Sequence, residues 1–374
     1  MKVLITGTHF TPAQAVIEEL KKYPFIEIIY IGRNHTMEGD SVPSVESEVL
    51  PKLGIKFISI DAGRLQRQLS IYTIPALLKI PLGFCEAFYY VAFEKPDLVV
   101  SFGGYLGLPV VFSAWLLSIP VIIHEQSLIP GLANKISSLF AKKIAVSFDK
   151  PYTFYQKSKI VITGNPLRKD IDDKGETASL EIDKFIASAK KEKLPLVVIT
   201  GGNQGAHFIN ELTERNLDKL LEGYFVFHQT GRNKFNDFSH LSSLKEKEKN
   251  SERYFPLEWV EPASLSKLFE SANLIISRAG INTLIEASQF NRPLLIIPLG
   301  VKEQLMNAEY FKALGIAQIL QQKNISNEVF LKAVKETQKH EGELNNKRGK
   351  GITIPDANKR LTQEILLELE QINP

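Results

Sequence analysis

The chain has 374 residues, of which 44% are hydrophobic and 23% are charged, and its formal net charge is +3. This length and composition exclude a disordered chain and predict two or three globular domains. Residues 1–168 hold 17 basic and 13 acidic residues, and the remainder hold 28 basic and 29 acidic residues. This excess of positive charge in the first half is too small for nucleic-acid binding, so we expect no nucleic-acid partner.

Seven apolar runs in the first half predict β-strands, and segments 12–22 and 105–117 predict helices between them. The strands are expected at MKVLIT, IEIIYIG, IKFISI, DLVVS, PVIIHE, KKIAVSF and KIVITG. MKVLIT runs directly into Gly7 and polar residues, so it does not resemble a secretion signal. Leu98–Ile123 has no charged residue and is long enough to span a bilayer, but its glycines and prolines favour a buried strand, helix and strand.

The second half repeats this alternation after a polar run from Arg168 to Lys193. Its strands are expected at LPLVVITGG, YFVFHQTG, LEWVE, NLIISRAG, PLLIIPLG and GIAQIL, and an amphipathic helix is expected at the end. Continuous apolar strands are typical of parallel sheets covered on both faces. We therefore predict an α/β protein of two doubly wound, Rossmann-like domains facing across a cleft. Residues 1–167 and the C-terminal helix 356–374 form the first domain, and residues 168–355 form the second.

Four of these strands end in a glycine-bearing turn that leads into a helix, an arrangement that presents backbone N–H groups to a diphosphate. The first turn is Thr6-Gly7-Thr8-His9. His9 stands at the carboxyl edge of the predicted sheet, where it could accept a proton from a sugar hydroxyl. The alternative is a loop histidine that caps the following helix.

The second turn is Gly103-Gly104-Tyr105, and the next strand delivers His124-Glu125-Gln126-Ser127 to the same edge. Several polar residues after a buried strand predict a binding site. The alternative for the second group is a helix N-cap made by Ser127.

The third turn, Gly201-Gly202-Asn203-Gln204-Gly205, is the closest to a phosphate cradle, although it matches neither a Walker loop nor a dinucleotide fingerprint. The alternative is tight packing of strand against helix.

In the fourth turn Gly280 precedes a helix in which Thr283 and Glu286 share a face. A carboxylate there could bind both hydroxyls of a ribose. The alternative is a capping box between these two side chains. Downstream, Gln304 and Asn307 lie three residues apart and could line the same cleft.

No metal site is expected. Asp170-Ile171-Asp172 has the spacing of a metal-binding pair, but no strand end aims it, so a solvated surface is favoured. The seven histidines and the single cysteine, Cys85, show no zinc spacing. One cysteine also excludes an intramolecular disulfide and is compatible with a reducing cytosol.

Taken in order, these motifs resemble the MurG-type peptidoglycan N-acetylglucosaminyltransferases, family 28 of the GT-B glycosyltransferases. The resemblance is carried by THFTPA, PDLVVSFGGY, PVIIHEQSLIPGLANK, TGNPLR, ITGGNQGA, HQTG, SRAGINTLIEA and QLMNA. It implies inverting transfer of N-acetylglucosamine from UDP to the 4-hydroxyl of undecaprenyl-diphospho-N-acetylmuramoyl-pentapeptide, which converts lipid I into lipid II. It also implies that no cofactor or metal is needed, since UDP-N-acetylglucosamine is a substrate.

The resemblance also assigns roles to residues. His9 is expected to be catalytic. The acceptor and its diphosphate are expected at Thr6, Gly7, Thr8, Gly103, Gly104, Tyr105, His124, Glu125, Gln126, Ser127 and Asn134. The UDP-sugar donor is expected at Arg168, Gly202, Asn203, Gln204, Gly205, Val260, Arg278, Gly280, Ile281, Asn282, Thr283, Glu286, Gln304 and Asn307.

Three positions depart from the family pattern. The first loop reads TGTH and lacks a glycine that the family usually carries, and Ser127 and Asn203 replace the usual asparagine and serine. Two alternatives therefore stay open: a glycolipid synthase that uses diacylglycerol as acceptor, and a non-catalytic protein that binds sugar nucleotides.

The family docks on the cytoplasmic face of the bacterial cell membrane, so peripheral association with an anionic membrane surface is expected. Residues 64–79 mix basic and apolar side chains and predict an interfacial patch. The alternative is an internal helix broken by Pro75 and Pro81.

Overall fold

The computed structural model describes residues 1–35, 43–63, 73–150, 152–167, 179–202, 204–231, 233, 235–323, 325–339 and 354–372, with the backbone alone for 73–78. The chain divides into two compact units, Met1–Arg168 with Ile354–Pro374, and Lys169–Thr353. The division falls one residue after the boundary expected from the sequence, and the returning C-terminal segment begins two residues earlier.

The N-terminal unit is built on a parallel sheet of seven strands. They are β1 (Lys2–Thr6), β2 (Glu27–Gly32), β3 (Lys56–Ser59), β4 (Leu98–Ser101), β5 (Val121–Glu125), β6 (Lys143–Val146) and β7 (Ile160–Ile162). Their order is β3-β2-β1-β4-β5-β6-β7. Its helices are α1 (Phe10–Leu20), α2 (Val45–Lys52), α3 (Thr73–Glu94), α4 (Gly107–Leu116) and α5 (Leu132–Phe140).

The C-terminal unit has a parallel sheet of six strands, in the order β10-β9-β8-β11-β12-β13. They are β8 (Leu196–Thr200), β9 (Phe225–Gln229), β10 (Tyr254–Leu257), β11 (Leu274–Ser277), β12 (Leu294–Ile296) and β13 (Ala317–Ile319). The helices are α6 (Leu180–Glu192), α7 (His207–Glu214), α8 (Leu217–Gly223), α9 (Asp237–Lys245), α10 (Pro262–Ser271), α11 (Ile281–Ser288), α12 (Lys302–Ala313) and α13 (Asn327–Lys339). These two sheets confirm the predicted α/β class with two doubly wound domains.

A final helix, α14 (Ala357–Ile372), belongs to the N-terminal unit and covers α1. Its apolar face, Leu361, Ile365 and Leu369, joins the core formed by Val16, Ile17 and Leu20. Beside this face the buried Glu368 forms ion pairs with Lys142 at 2.5 Å and with Lys143 at 3.0 Å. Burial alone would raise the pKa of its carboxyl, but the two lysines lower it. Packing and ion pairs together attach this helix to residues more than two hundred positions earlier.

Two details of the sequence prediction were wrong or displaced. The strand expected at LEWVE lies earlier, at Tyr254–Leu257, and includes Pro256. Proline is tolerated there because β10 is an edge strand, so its missing N–H interrupts no ladder. Helix α1 begins two residues before the predicted start.

The uncharged segment Leu98–Ile123 forms β4, α4 and the start of β5, as the glycine and proline punctuation predicted. The membrane-span alternative for it was therefore wrong. Across the described residues, every helix is too short or too polar to cross a membrane.

Candidate active site

The four predicted glycine turns meet in pairs at the point where each sheet reverses its strand order. They follow β1 and β4, which are neighbours in the first sheet, and β8 and β11, which are neighbours in the second. Ligands of open α/β sheets bind at the carboxyl ends of strands at this switch point. Each unit therefore carries a candidate site, described separately below.

In the N-terminal unit the first two turns are locked together by backbone contacts. The Thr8 N–H donates to the Gly103 carbonyl at 3.0 Å, and the Phe102 N–H donates to the Thr6 carbonyl at 2.7 Å. Gly7 has φ +135°, and a Cβ on it would lie 2.8 Å from the Phe102 carbonyl carbon. Gly104 is equally restricted, because its Cβ would collide with the Thr8 hydroxyl. Glycine is required at both positions by this close approach.

His9 occupies the N-cap position of α1, but its side chain makes no capping hydrogen bond. The capping alternative was therefore wrong. Packing around the ring, and secondly the positive charge of Arg33, lowers the pKa of His9 from 6.5 to about 4. The imidazole is neutral at pH 7 and can accept a proton. Arg33 Nε lies 3.4 Å from the carboxylate of Glu46, a buried residue that was not predicted as part of the site.

His124 is buried at the end of β5, next to Phe102 at 5.4 Å between ring centroids. Its Nε2 lies 3.2 Å from the Gly164 carbonyl, which can only accept, so Nε2 carries the proton. Burial lowers the pKa of His124 to about 4. Nδ1 is then a buried acceptor with no hydrogen-bond partner among the described residues, and it suits a hydroxyl donor from a ligand.

Glu125 organises the polar group after β5. Its carboxylate accepts the Ser127 N–H, the Asn134 side-chain amide and the Tyr155 hydroxyl, each at 2.9 Å. Helix α5 begins at Leu132 with Gly131 as N-cap, so the Ser127 capping alternative was wrong. Tyr155 was missed because nothing local to its turn indicates a partner 30 residues earlier.

Further buried oxygens at this edge lack hydrogen-bond partners within the described part of the chain. They are Thr6 Oγ1, Gln126 Oε1 and Asn134 Oδ1. The Asn134 amide lies beside Gly103, where a Cβ would be 2.7 Å from Oδ1. Buried polar atoms normally have partners, so unpartnered ones beside a glycine loop indicate a site for a polar ligand.

The C-terminal unit holds a cavity of about 390 Å³ at its switch point. It is lined by Gly201, Gly202, Gln204, Gly205, Ala206, Arg278, Gly280, Thr283, Leu299 and Gln304. Seven of these ten were predicted from the sequence as donor-site residues. The structure adds Gly201 and Ala206 at the two ends of the third turn, and Leu299 from the loop after β12.

The glycine turn after β8 serves both packing and access. Gly205 has φ +72°, and its Cβ would collide with the Thr230 carbonyl, so its close approach to the turn after β9 requires glycine at this position. Gly202 has φ +78°, yet its Cβ would meet only Thr283 Oγ1 at 3.8 Å. Its N–H donates to Thr200 Oγ1 at 3.0 Å, which in turn donates to Gln229 Oε1 at 2.9 Å. These hydrogen bonds hold the turn on the side of the strands, and its other side is open towards the cavity.

Two helices begin at this cavity, α7 after Ala206 and α11 after Gly280, and neither has a side-chain cap. Free N–H groups and the positive end of each helix dipole favour an anion there. Because the N-cap of α11 is Gly280, Thr283 is the third helical residue and the capping-box alternative was wrong.

Three predicted side chains surround these helix ends. Arg278 Nη1 donates to the Ile297 carbonyl at 3.0 Å and to Gln322 Oε1 at 2.6 Å, and burial lowers the pKa of its guanidinium. Gln304 Oε1 accepts the Leu299 N–H at 2.9 Å. Asn307 is buried and donates to the Ala279 carbonyl at 3.0 Å.

The remaining predicted donor residues do not line the cavity. Glu286 and Ile281 are buried in α11, Asn282 is half-buried beside them, and Val260 is buried before α10. Glu286 lies one turn beyond Thr283 on the same face of α11, adjacent to the cavity lining. Arg168, Asn203, Asp170–Asp172 and residues 64–72 of the predicted interfacial patch lie outside the described residues, as do the side chains of 73–78.

Family comparisons match both units. The glycosyltransferase family 28 N-terminal domain matches residues 5–146, and the family 28 C-terminal domain matches residues 196–361.

Named proteins from other bacteria are similar to this chain over most of its length. A UDP-N-acetylglucosamine--N-acetylmuramyl-(pentapeptide) pyrophosphoryl-undecaprenol N-acetylglucosamine transferase of Legionella pneumophila (strain Paris) is 34% identical over 348 residues, covering 91% of this chain and 89% of that protein. The protein of the same name from Clostridium botulinum (strain Hall / ATCC 3502 / NCTC 13319 / Type A) is 32% identical over 339 residues, covering 88% and 89%. Among solved structures, Acinetobacter baumannii MurG superposes with a TM-score of 0.67 at 24% identity, covering 98% of this chain and 99% of that one. The similarity therefore spans nearly the whole chain.

Proposed function

The chain belongs to glycosyltransferase family 28, and we propose that it transfers N-acetylglucosamine from UDP-N-acetylglucosamine to the 4-hydroxyl of undecaprenyl-diphospho-N-acetylmuramoyl-pentapeptide. The product is lipid II, and the step belongs to peptidoglycan synthesis. The observation that carries this proposal is the identity of 31–34% over about nine-tenths of the chain with transferases of that name. The geometry of the two switch points agrees with it.

The donor site is proposed in the C-terminal unit. The cavity of about 390 Å³ is within the usual range for small-molecule sites, and the N-termini of α7 and α11 suit a diphosphate. Arg278 adds a full positive charge beside them. Glu286 is assigned to the two ribose hydroxyls, and the backbone at Val260 to the uracil.

The acceptor site is proposed in the N-terminal unit, at the interlocked glycine turns and the Glu125 group. His9 accepts the proton of the acceptor 4-hydroxyl while that oxygen attacks the anomeric carbon of the donor sugar. The bond from this carbon to the β-phosphate oxygen breaks, the configuration inverts, and UDP leaves with the electron pair. Helix N–H groups and Arg278 stabilise the charge that develops on UDP, so we propose that no bound metal is required.

The first prediction is transfer to lipid I rather than to diacylglycerol. Purified protein given UDP-N-acetylglucosamine, labelled in the sugar, is expected to label lipid I, and to do so equally in EDTA. Thin-layer chromatography of the extracted lipids measures this. Diacylglycerol offered together with lipid I is expected neither to receive label nor to reduce the labelling of lipid I. Labelling of diacylglycerol alone would favour the glycolipid synthase, absence of any transfer would favour a non-catalytic protein, and loss of transfer in EDTA would refute metal independence.

We also propose peripheral association with an anionic membrane surface on the cytoplasmic face of the cell membrane. Apolar side chains are exposed on α3 and on its neighbour α4. Leu82, Tyr89 and Phe93 follow a helical spacing of seven and four, so they share one face of α3. Trp115 and Leu116 add to this at the end of α4. We name these five side chains the apolar surface.

The second prediction concerns the apolar surface. The double variant Tyr89→Glu/Phe93→Glu is expected to reduce binding to vesicles of anionic lipid at least about tenfold, because two aromatic rings that are 61% and 67% exposed would no longer insert. Flotation on a density gradient measures the bound fraction. Leu180→Glu, which alters a residue of the C-terminal unit that is even more exposed, is the control and is expected to float like the unaltered protein. Equal flotation of the double variant would show that another surface is responsible.

A further inference from the structure

Three neighbouring strands of the C-terminal sheet bring distant residues to one point beside the donor cavity. Strands β11, β12 and β13 are parallel and adjacent, so their carboxyl ends lie along the same edge. Arg278 directly follows β11, Ile297 directly follows β12, and Gln322 lies three residues after β13. This explains how the Arg278 guanidinium reaches a carbonyl 19 residues away and an amide oxygen 44 residues away.

The charge of Arg278 is not neutralised by these contacts. Its partners are the Ile297 carbonyl, the Gln322 amide oxygen and the face of Phe208, 5.7 Å from the ring centroid. Within the described part of the chain, no carboxylate forms an ion pair with Arg278. A half-buried cation that has only neutral partners is costly alone and favours binding of an anion.

The two hydrogen bonds also fix the direction of the guanidinium. Nη1 donates both hydrogen bonds. Because the guanidinium is planar, fixing Nη1 at two acceptors also fixes the directions of the Nε and Nη2 N–H groups. Nε and Nη2 have no hydrogen-bond partner among the described residues. Since Arg278 lines the cavity, these N–H groups are the ones left for a ligand.

We propose that Gln322 is a positioning residue of the donor site, whose neutral amide oxygen orients the Arg278 guanidinium towards the diphosphate of the UDP-sugar without cancelling its charge. This rests on the function proposed above. The neutrality of Gln322 is the decisive property. A glutamate would accept the same hydrogen bond but would compete with the diphosphate for the same cation.

The third prediction tests this neutrality. Gln322→Glu is expected to weaken UDP binding at least about tenfold while leaving uridine binding unchanged. The new carboxylate neutralises Arg278, and only UDP carries a diphosphate that depends on this positive charge. Gln322→Ala, which frees the guanidinium but keeps its charge, is expected to weaken UDP binding by about threefold. Titration calorimetry measures UDP, and an NMR titration measures the weaker ligand uridine. In turnover assays the KM for the donor is expected to rise and the KM for the acceptor to stay constant.

The neighbouring residue supplies a matched control. Gln321 is exposed and belongs to the same loop, so Gln321→Glu introduces the same charge without a contact to Arg278 and is expected to bind UDP like the unaltered protein. Unchanged UDP affinity in Gln322→Glu would overturn the inference, and so would an equal loss of UDP and uridine affinity, which indicates a structural role. If the unaltered protein bound neither UDP nor uridine, the proposed donor site itself would be wrong, and the inference would fall with it.

Discussion

His9→Ala is expected to lower kcat for transfer to lipid I by about 10²-fold, the lower end of the range for general bases. The lower end applies because a pKa of about 4 keeps the imidazole deprotonated at pH 7 but makes it a weak base. UDP affinity is expected to stay unchanged, since the cavity proposed for the donor belongs to the other unit, as do Arg278, Glu286 and Val260. A radiolabel transfer assay with saturating donor measures kcat, and calorimetry measures UDP binding.

The pH dependence of the unaltered enzyme gives a second test of the same role. His9 is inactive as a base when protonated, and its lowered pKa places protonation near pH 4. We therefore expect kcat/KM to remain level as the pH falls from about 7.5 to about 5.5, a range over which an enzyme that depends on an ordinary histidine base would lose activity.

The control for His9→Ala is His240→Ala, which removes an exposed histidine of α9 and is expected to keep full activity. Full turnover by His9→Ala would remove the proposed role.

Glu286→Gln is expected to weaken UDP binding by about 10- to 100-fold. Hydrogen bonds to a charged group contribute about 1.5–3 kcal/mol each, and the amide retains the shape of the carboxylate but loses its charge and one acceptor. The loss should appear in the KM for the donor. Calorimetry with UDP measures it directly.

A double-mutant cycle attributes the effect to the ribose. Removing both ribose hydroxyls from the ligand is expected to weaken binding to the unaltered protein, but to weaken binding to Glu286→Gln much less, since the partner is already lost. Glu309→Gln removes the charge of an exposed residue of α12 and is the control. Additive losses in the cycle would show that Glu286 does not bind the ribose.

The sequence was most informative about strands and the turns after them. Apolar runs located twelve of the thirteen strands found in the described residues, because a strand buried on both faces has a continuous local signal. The four glycine turns were found for the same reason, since the close approach of Gly7 to Phe102 and of Gly205 to Thr230 requires glycine in the sequence itself. The exception, LEWVE, has the composition of a strand, whereas the true strand contains a proline that only its edge position permits.

Contacts between distant segments had no such signal. Tyr155 binds Glu125 from 30 residues away, and Gln322 binds Arg278 from 44 residues away, and neither residue differs locally from a surface side chain. The capping alternatives for His9, Ser127 and Thr283 failed for a related reason. The same residue types suit a cap or a ligand, and only the residue at which the helix begins decides between them.

The position of α14 has a consequence for biosynthesis. Val16, Ile17 and Leu20 emerge from the ribosome early, but the residues that cover them, Leu361, Ile365 and Leu369, are translated after the whole C-terminal unit. While the C-terminal unit is being translated, the nascent N-terminal unit therefore carries an open apolar groove, and Lys142 and Lys143 still lack their partner Glu368. Its native state is completed only by a late, non-local closure, so the second unit to be synthesised is the first that can finish folding.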